Sequence, residues 1–144
     1  MGLRQWVKQQ LGDETPTGAR PPGALGEFTA ATYPQQLAEL LQRRQTVAEE
    51  ILRIDVADAQ ARMAAIPRLR ELLRTYPHPL VYELLVHAYA DAGRFDEAKG
   101  IAFAARERRA ECERSPYPEI RSETEHLHAW TSEEVDAMRA ERQR

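Results

Sequence analysis

Residues 79–112 read PLVYELLVHAYADAGRFDEAKGIAFAARERRAEC, and this stretch decides the fold class. Tyr82, Leu85, Ala88 and Tyr89 recur at spacings of three and four, so they share one helical face over 80–92. Gly93 then stops that helix, because glycine enters the left-handed conformation of a helix end at little cost. Asp96 is placed to cap a second helix over 96–112, and Glu97 is favourable near the same N-terminus. Ala98, Ala102 and Ala105 line one side of it. Two helices approach closely when one offers small side chains where the other offers large ones. Tyr82, Leu85 and Tyr89 are the knobs and the three alanines the groove. The expectation is an antiparallel helical hairpin in an all-α protein.

Upstream, Leu37, Leu40, Leu41, Val47, Ile51 and Ile54 continue a helical period from Pro34, with Thr32 as the cap. The pattern fits either one long helix to about residue 62 or two helices broken near Asp55. A further helix over 67–76 carries Leu69, Leu72 and Leu73, and Pro77-His78-Pro79 stops it. Residues 12–33 hold four of the seven glycines (Gly12, Gly18, Gly23, Gly26) and three of the nine prolines, the composition of a linker. Before the linker, Leu3, Val7 and Leu11 recur at every fourth position beside Trp6. A helix this short needs a surface to lie on. That surface is the protein's own body or a partner. A membrane surface is the alternative, since tryptophan sits well at an interface. The domain reading is therefore 1–33 for this segment and its linker, and 34–144 for the helical domain.

Downstream, Ser115-Pro116-Tyr117-Pro118 ends one helix and starts another near 118–130. Thr131 with Glu134 forms the capping-box pattern of a final helix over about 132–142, whose apolar anchors are Val135 and Met138.

The stretch 79–112, with Tyr82, Leu85, Ala88, Tyr89, Gly93, Phe95, Ala98 and Ala105, resembles the tetratricopeptide repeat, a helix–turn–helix unit of about 34 residues. Gly93-Arg94-Phe95-Asp96-Glu97-Ala98 looks very like that family's turn. Ala102 stands where the family usually has an aromatic residue, and Ala110 near where it often has proline. Residues 65–77 look like the second helix of a degenerate preceding repeat. Stacks of this kind usually need about three units, so the long N-terminal helix and the C-terminal helices serve as caps. Pro116-Tyr117-Pro118-Glu119-Ile120-Arg121 is weakly similar to the segment after the repeats in bacterial transcriptional activator domains. No DNA-binding module accompanies it.

The resemblance implies a concave surface on the first helix of the hairpin, at Leu80, Glu83, His87, Ala90 and Asp91. Glu83, His87 and Asp91 stand four apart on one face. That face is acidic and suits a partner segment carrying Lys or Arg. The basic-plus-asparagine set that clamps a C-terminal carboxylate in chaperone adaptors is absent.

The net charge of −3, with 20 basic against 23 acidic residues, leaves no basic footprint for nucleic acid. Cys112 is the single cysteine, which excludes an internal disulfide and a cysteine-based metal site. As a nucleophile with His126 or His128 it lacks support, because a helix C-terminus raises a thiol pKa. Glu123, Glu125, His126 and His128 form a mixed cluster, but only Glu125 and His128 share a helical face, too few for a metal. No phosphate loop or nucleophile elbow is present. The expected protein is not an enzyme and takes no cofactor or metal. It is a protein–protein interaction scaffold or adaptor in the cytoplasm. The alternative is an accessory subunit of a larger hetero-complex, peripheral at a membrane and fastened by its N-terminal segment.

Overall fold

A computed structural model describes residues 27–143, and every described element is helical. The amphipathic segment with Leu3, Trp6, Val7 and Leu11, and the linker through Gly26, lie outside the described residues. The chain divides after Arg53 into two units.

The first unit contributes α1, Glu27–Arg53. It begins seven residues before Pro34, where the sequence pattern starts it. Gly26 is the last breaker before Pro34, and Ala30 and Ala31 carry strong helix propensity. Pro34 therefore sits inside the helix, where it forgoes one backbone hydrogen bond. The exposed side holds short-range pairs, Arg53 on Glu50 at 2.8 Å and Gln45 on Glu49 at 3.2 Å.

The break near Asp55 is real. Asp55 Oδ1 accepts the Ala57 amide at 3.0 Å, and Asp58 Oδ1 accepts the Ala61 amide at 2.8 Å. Each aspartate offers the backbone a partner that a continuing helix would not use. Asp58 thereby caps α2, Ala59–Ala64. Ala65 ends α2 and starts α3, Ile66–Thr75, with Pro67 in its first turn. Ile66, Leu69 and Leu72 of α3 are buried, as is Tyr76 beyond it.

α4, Pro79–Asp91, is the centre of the second unit. His78 caps it: its buried imidazole Nδ1 accepts the Leu80 amide at 3.1 Å. An apolar run from Leu80 to Ala90, broken only by Glu83 and His87, is what a helix surrounded on most sides requires. It packs against α2, α3 and, most extensively, α5, Phe95–Glu113.

The turn between α4 and α5 closes as a Schellman motif. The Arg94 amide donates to the Tyr89 carbonyl at 2.8 Å and the Gly93 amide to Ala90 at 3.0 Å. Gly93 has φ +75°, the left-handed value this motif needs. α5 then begins at Phe95 with Arg94 in the cap position. Asp96 and Glu97 lie in its first turn, so Asp96 acts through the helix dipole and not as the cap. Tyr82, Leu85, Tyr89, Ala98, Ala102 and Ala105 are all buried.

The segment after α5 departs from the expected helix over 118–130. A single α-turn, α6 (Pro118–Arg121), tightens into a 3-10 helix over Ser122–His126, and residues 127–131 are non-helical. Ile120, Glu123, Leu127 and Trp130 are nevertheless buried at spacings of three and four. The sequence period reports burial here and not helix. Arg109 Nε donates to the Thr124 carbonyl at 3.3 Å, and the Ser122 hydroxyl to that of Glu119 at 2.8 Å, so side chains take acceptors a longer helix would use. α7, Ser132–Arg142, then opens with the expected capping box: the Thr131 hydroxyl accepts the Glu134 amide at 3.1 Å and Glu134 Oε2 accepts the Thr131 amide at 2.7 Å.

No atom lies within 4 Å of where a Cβ on Gly93 would stand, so the cost of a side chain there is backbone strain alone. Gly93→Ala is expected to lower the unfolding free energy by about 1–2 kcal/mol. Gly93→Asn recovers part of that loss, and urea denaturation at unchanged m-value measures both.

Candidate interaction surface

The surface positions expected on α4 fall into two groups. Leu80 and Ala90 are buried, 3% and 1% exposed, and cannot meet a partner. They belong to the core because α4 is covered on more sides than an edge helix would be. Glu83, His87 and Asp91 do share a face. Glu83 and His87 are half-exposed and paired at 3.2 Å.

Asp91 is already engaged. Its Oδ2 accepts Arg62 Nε at 2.8 Å, and its Oδ1 accepts Arg142 Nη2 at 2.9 Å and Nε at 3.1 Å. The two arginines come from α2 and the end of α7, 29 and 51 residues away. The Asp91 side chain is 7% exposed, whereas the guanidinium-bearing side chains keep 26% and 28% of their surface. Burial alone would raise the Asp91 carboxyl, but hydrogen bonds and charge from Arg62 and Arg142 outweigh it and hold the group below the usual carboxylate range.

Trp130 covers the middle of this face. Its ring meets His87 edge-on at 5.8 Å and His128 edge-on at 4.6 Å. It is buried, so the ring is spent on the protein itself. His128 is held by Glu134 at 2.7 Å, and that hydrogen bond, with the Thr131 amide, keeps the Glu134 carboxyl low. Trp130 thus stands between two Glu–His pairs, one on α4 and one at the start of α7.

α7 packs on both α4 and α5, yet Val135 is its one fully buried side chain. Met138, the other expected anchor, is partly buried, and the further fasteners are charged: Lys99 to Asp136 at 2.8 Å, the Arg139 guanidinium over Phe95 at 5.7 Å, and Arg142 on Asp91. Burying one valine stabilises by about 1.5–3 kcal/mol. An exposed ion pair adds about 0–1 kcal/mol. Ordering a residue's backbone costs about 1–2 kcal/mol, so α7 is among the least firmly held elements of its unit.

A second polar cluster lies under the 3-10 helix. Glu123, 1% exposed, accepts a hydrogen bond from the Tyr76 hydroxyl and has Arg108 Nη2 at 3.8 Å. Arg108 also donates to the Tyr76 oxygen at 3.2 Å and lies over its ring at 5.5 Å. Burial pushes the neighbouring Tyr82 phenol up to about 12, the Arg108 charge working against it. Glu123 and His128, grouped in the sequence, therefore part: one turns into the core and the other faces Glu134. Cys112 is fully buried on α5.

Arg62, Trp130 and Arg142 complete the α4 face, and the residue pattern does not mark the two arginines for it. Trp130 carries a signal, a lone aromatic in a polar stretch, but no clue to its destination. Comparison with protein-family models, curated proteins and solved structures finds no match to this chain.

Asp91 binds fewer protons when folded than when unfolded around its ordinary pKa. Its contribution is complete above about pH 4 and is lost as the pH falls through its lowered value. Urea midpoints measured from about pH 5 to about pH 2 should fall less steeply for Asp91→Asn than for the native chain. Tyr76→Phe removes one hydrogen-bond donor from the buried Glu123 carboxyl and is expected to destabilise by about 1–3 kcal/mol. A double-mutant cycle with Glu123→Gln reads the coupling of that pair directly.

Proposed function

We propose that this chain is an interaction adaptor of tetratricopeptide-like construction, whose α4 face receives a basic segment of a partner protein. The observation that carries this reading is Asp91. One nearly buried carboxylate gathers guanidinium groups from two distant parts of the chain. A site with that affinity for arginine suits a partner's arginine equally well, because the planar fork of the guanidinium matches a carboxylate with two aligned hydrogen bonds. Glu83 extends the acidic character about two turns along α4. The Schellman turn at Gly93 and the tyrosine-against-alanine helix pair are the features the tetratricopeptide resemblance requires, and they support the hairpin arrangement.

The second reading, a subunit of a larger assembly, draws on Phe103. It is the exposed large apolar side chain among the described residues, 61% open on α5. A lone exposed phenylalanine is ordinary on a surface, so it ranks behind the charge-based site. Among the described residues no helix is long and apolar enough to cross a membrane.

Panning a displayed library of random peptides against the folded chain tests the adaptor reading. Binders enriched in Arg or Lys, and weakened about tenfold, or about 1.4 kcal/mol, by Glu83→Lys, are the expected outcome. A panel with no such enrichment, or one indifferent to Glu83→Lys, overturns it. Binders that depend on Phe103→Ser instead would favour the subunit reading.

A further inference from the structure

We propose that α7 is an exchangeable, intramolecular occupant of the α4 face, and that an arginine-bearing partner segment binds by displacing it. The inference rests on the adaptor reading above and names how that site is regulated.

Three observations converge on it. The first is chemical mimicry. Arg142 presents Nε and Nη2 to Asp91 Oδ1, which is how an arginine on a foreign peptide would take the same carboxylate. The chain fills its own acidic site with the group that site is built to accept. The second is the manner of attachment. Apart from Val135 and the partly buried Met138, α7 is fastened by Lys99–Asp136, Arg139 over Phe95 and Arg142–Asp91. Charged contacts at a surface exchange with equivalent charged contacts from another molecule far more readily than a packed apolar face does. The third is the connection. Residues 127–131 are non-helical, and Leu127 and Trp130 within them are buried, so the pivot falls at exposed Thr131, while Glu123, buried and bonded to Tyr76, keeps the preceding 3-10 helix in place. Trp130 sits at the junction, against His87 of the face that would be uncovered.

Release would expose one carboxylate oxygen of Asp91, Oδ1, while Arg62 continues to hold Oδ2. The face would then offer Asp91, Glu83 and His87 together. A partner gains by the difference between its contacts and those of α7, so the helix sets a threshold that a weak basic segment does not pass.

The test uses the full chain and, as probe, a fluorescent peptide copying residues 127–144. Two variants loosen α7 without touching the core. Asp136→Lys places like charges against Lys99 on a half-exposed pair, and Arg142→Ala removes the guanidinium from Asp91. Hydrogen exchange of α7 amides in these variants should accelerate by about tenfold or more, with α4 and α5 unchanged. The probe should bind the loosened chains about tenfold more tightly than the native chain, and a probe carrying Arg142→Ala should lose that gain. Exchange that rises in α7, α4 and α5 together would overturn the proposal, since α7 would then be an inseparable part of the core. So would a freed α7 with no gain in probe binding, because the face would have no affinity for the occupant assigned to it. Library peptides from the panning experiment separate the two levels. Binders that ignore the loosening of α7 overturn this proposal alone, whereas an absence of binders to native and loosened chains alike overturns the adaptor reading.

Discussion

The packing of α4 against α5 is the constraint on which the second unit depends. It requires large side chains on one helix, small ones on the other, and a reversal of the chain in three residues. Tyr82, Leu85 and Tyr89 on α4 and Ala98, Ala102 and Ala105 on α5 have the sizes those two conditions call for and are all buried, the Tyr89 hydroxyl accepting from Arg70 of α3. Gly93 meets the third, because the Schellman turn needs a left-handed residue between the helices. With that pair in place α4 has most of its surface committed. α2 and α3 pack on what remains of α4, while the 3-10 segment and α7 rest on α5 as well as on α4.

The energetic character of those additions differs. α3 and the 3-10 segment are fixed by burial: Leu69, Leu72, Ile120 and Leu127 are almost fully enclosed, and Glu123 is drawn in with Tyr76 and Arg108. A buried carboxyl with a hydroxyl donor and a nearby guanidinium specifies one arrangement strongly, since any slip leaves a polar group without its partner. α7 is held by ion pairs, by one fully buried valine and by the partly buried Met138. The unit therefore grades from an enclosed core to an edge with few buried side chains. The acidic face of α4 lies under that edge, which is why binding and local opening are linked in the function proposed for it.

The existence and order of the helices were legible in the sequence because each rests on local chemistry. Gly93 and the Thr131–Glu134 box mark ends whose hydrogen bonds close within a few residues. Near Asp55 the spacing fits one helix or two, and Asp55 and Asp58 decide for two by taking the Ala57 and Ala61 amides. The same local chemistry misled at Asp96, where Arg94 holds the cap position, and at Pro34, which α1 accommodates inside its length. Over 118–130 the spacing of Ile120, Glu123, Leu127 and Trp130 follows a helical period while the backbone does not. Burial at every third or fourth residue can be satisfied by a 3-10 turn followed by a non-helical stretch.

The sequence by itself determined an all-helical chain, the turn at Gly93, the capped final helix and the grouping of Glu83, His87 and Asp91 on one face. Each depends on residues within about a turn or two of one another, where spacing fixes geometry. Only the tertiary structure decided that Leu80 and Ala90 are core, that Trp130 lies against His87, and that Asp91 holds Arg62 and Arg142. Those outcomes join residues 29, 43 and 51 positions apart. No local propensity encodes such pairings, because a carboxylate meets whichever guanidinium the packing of α2, α4 and α7 brings within reach.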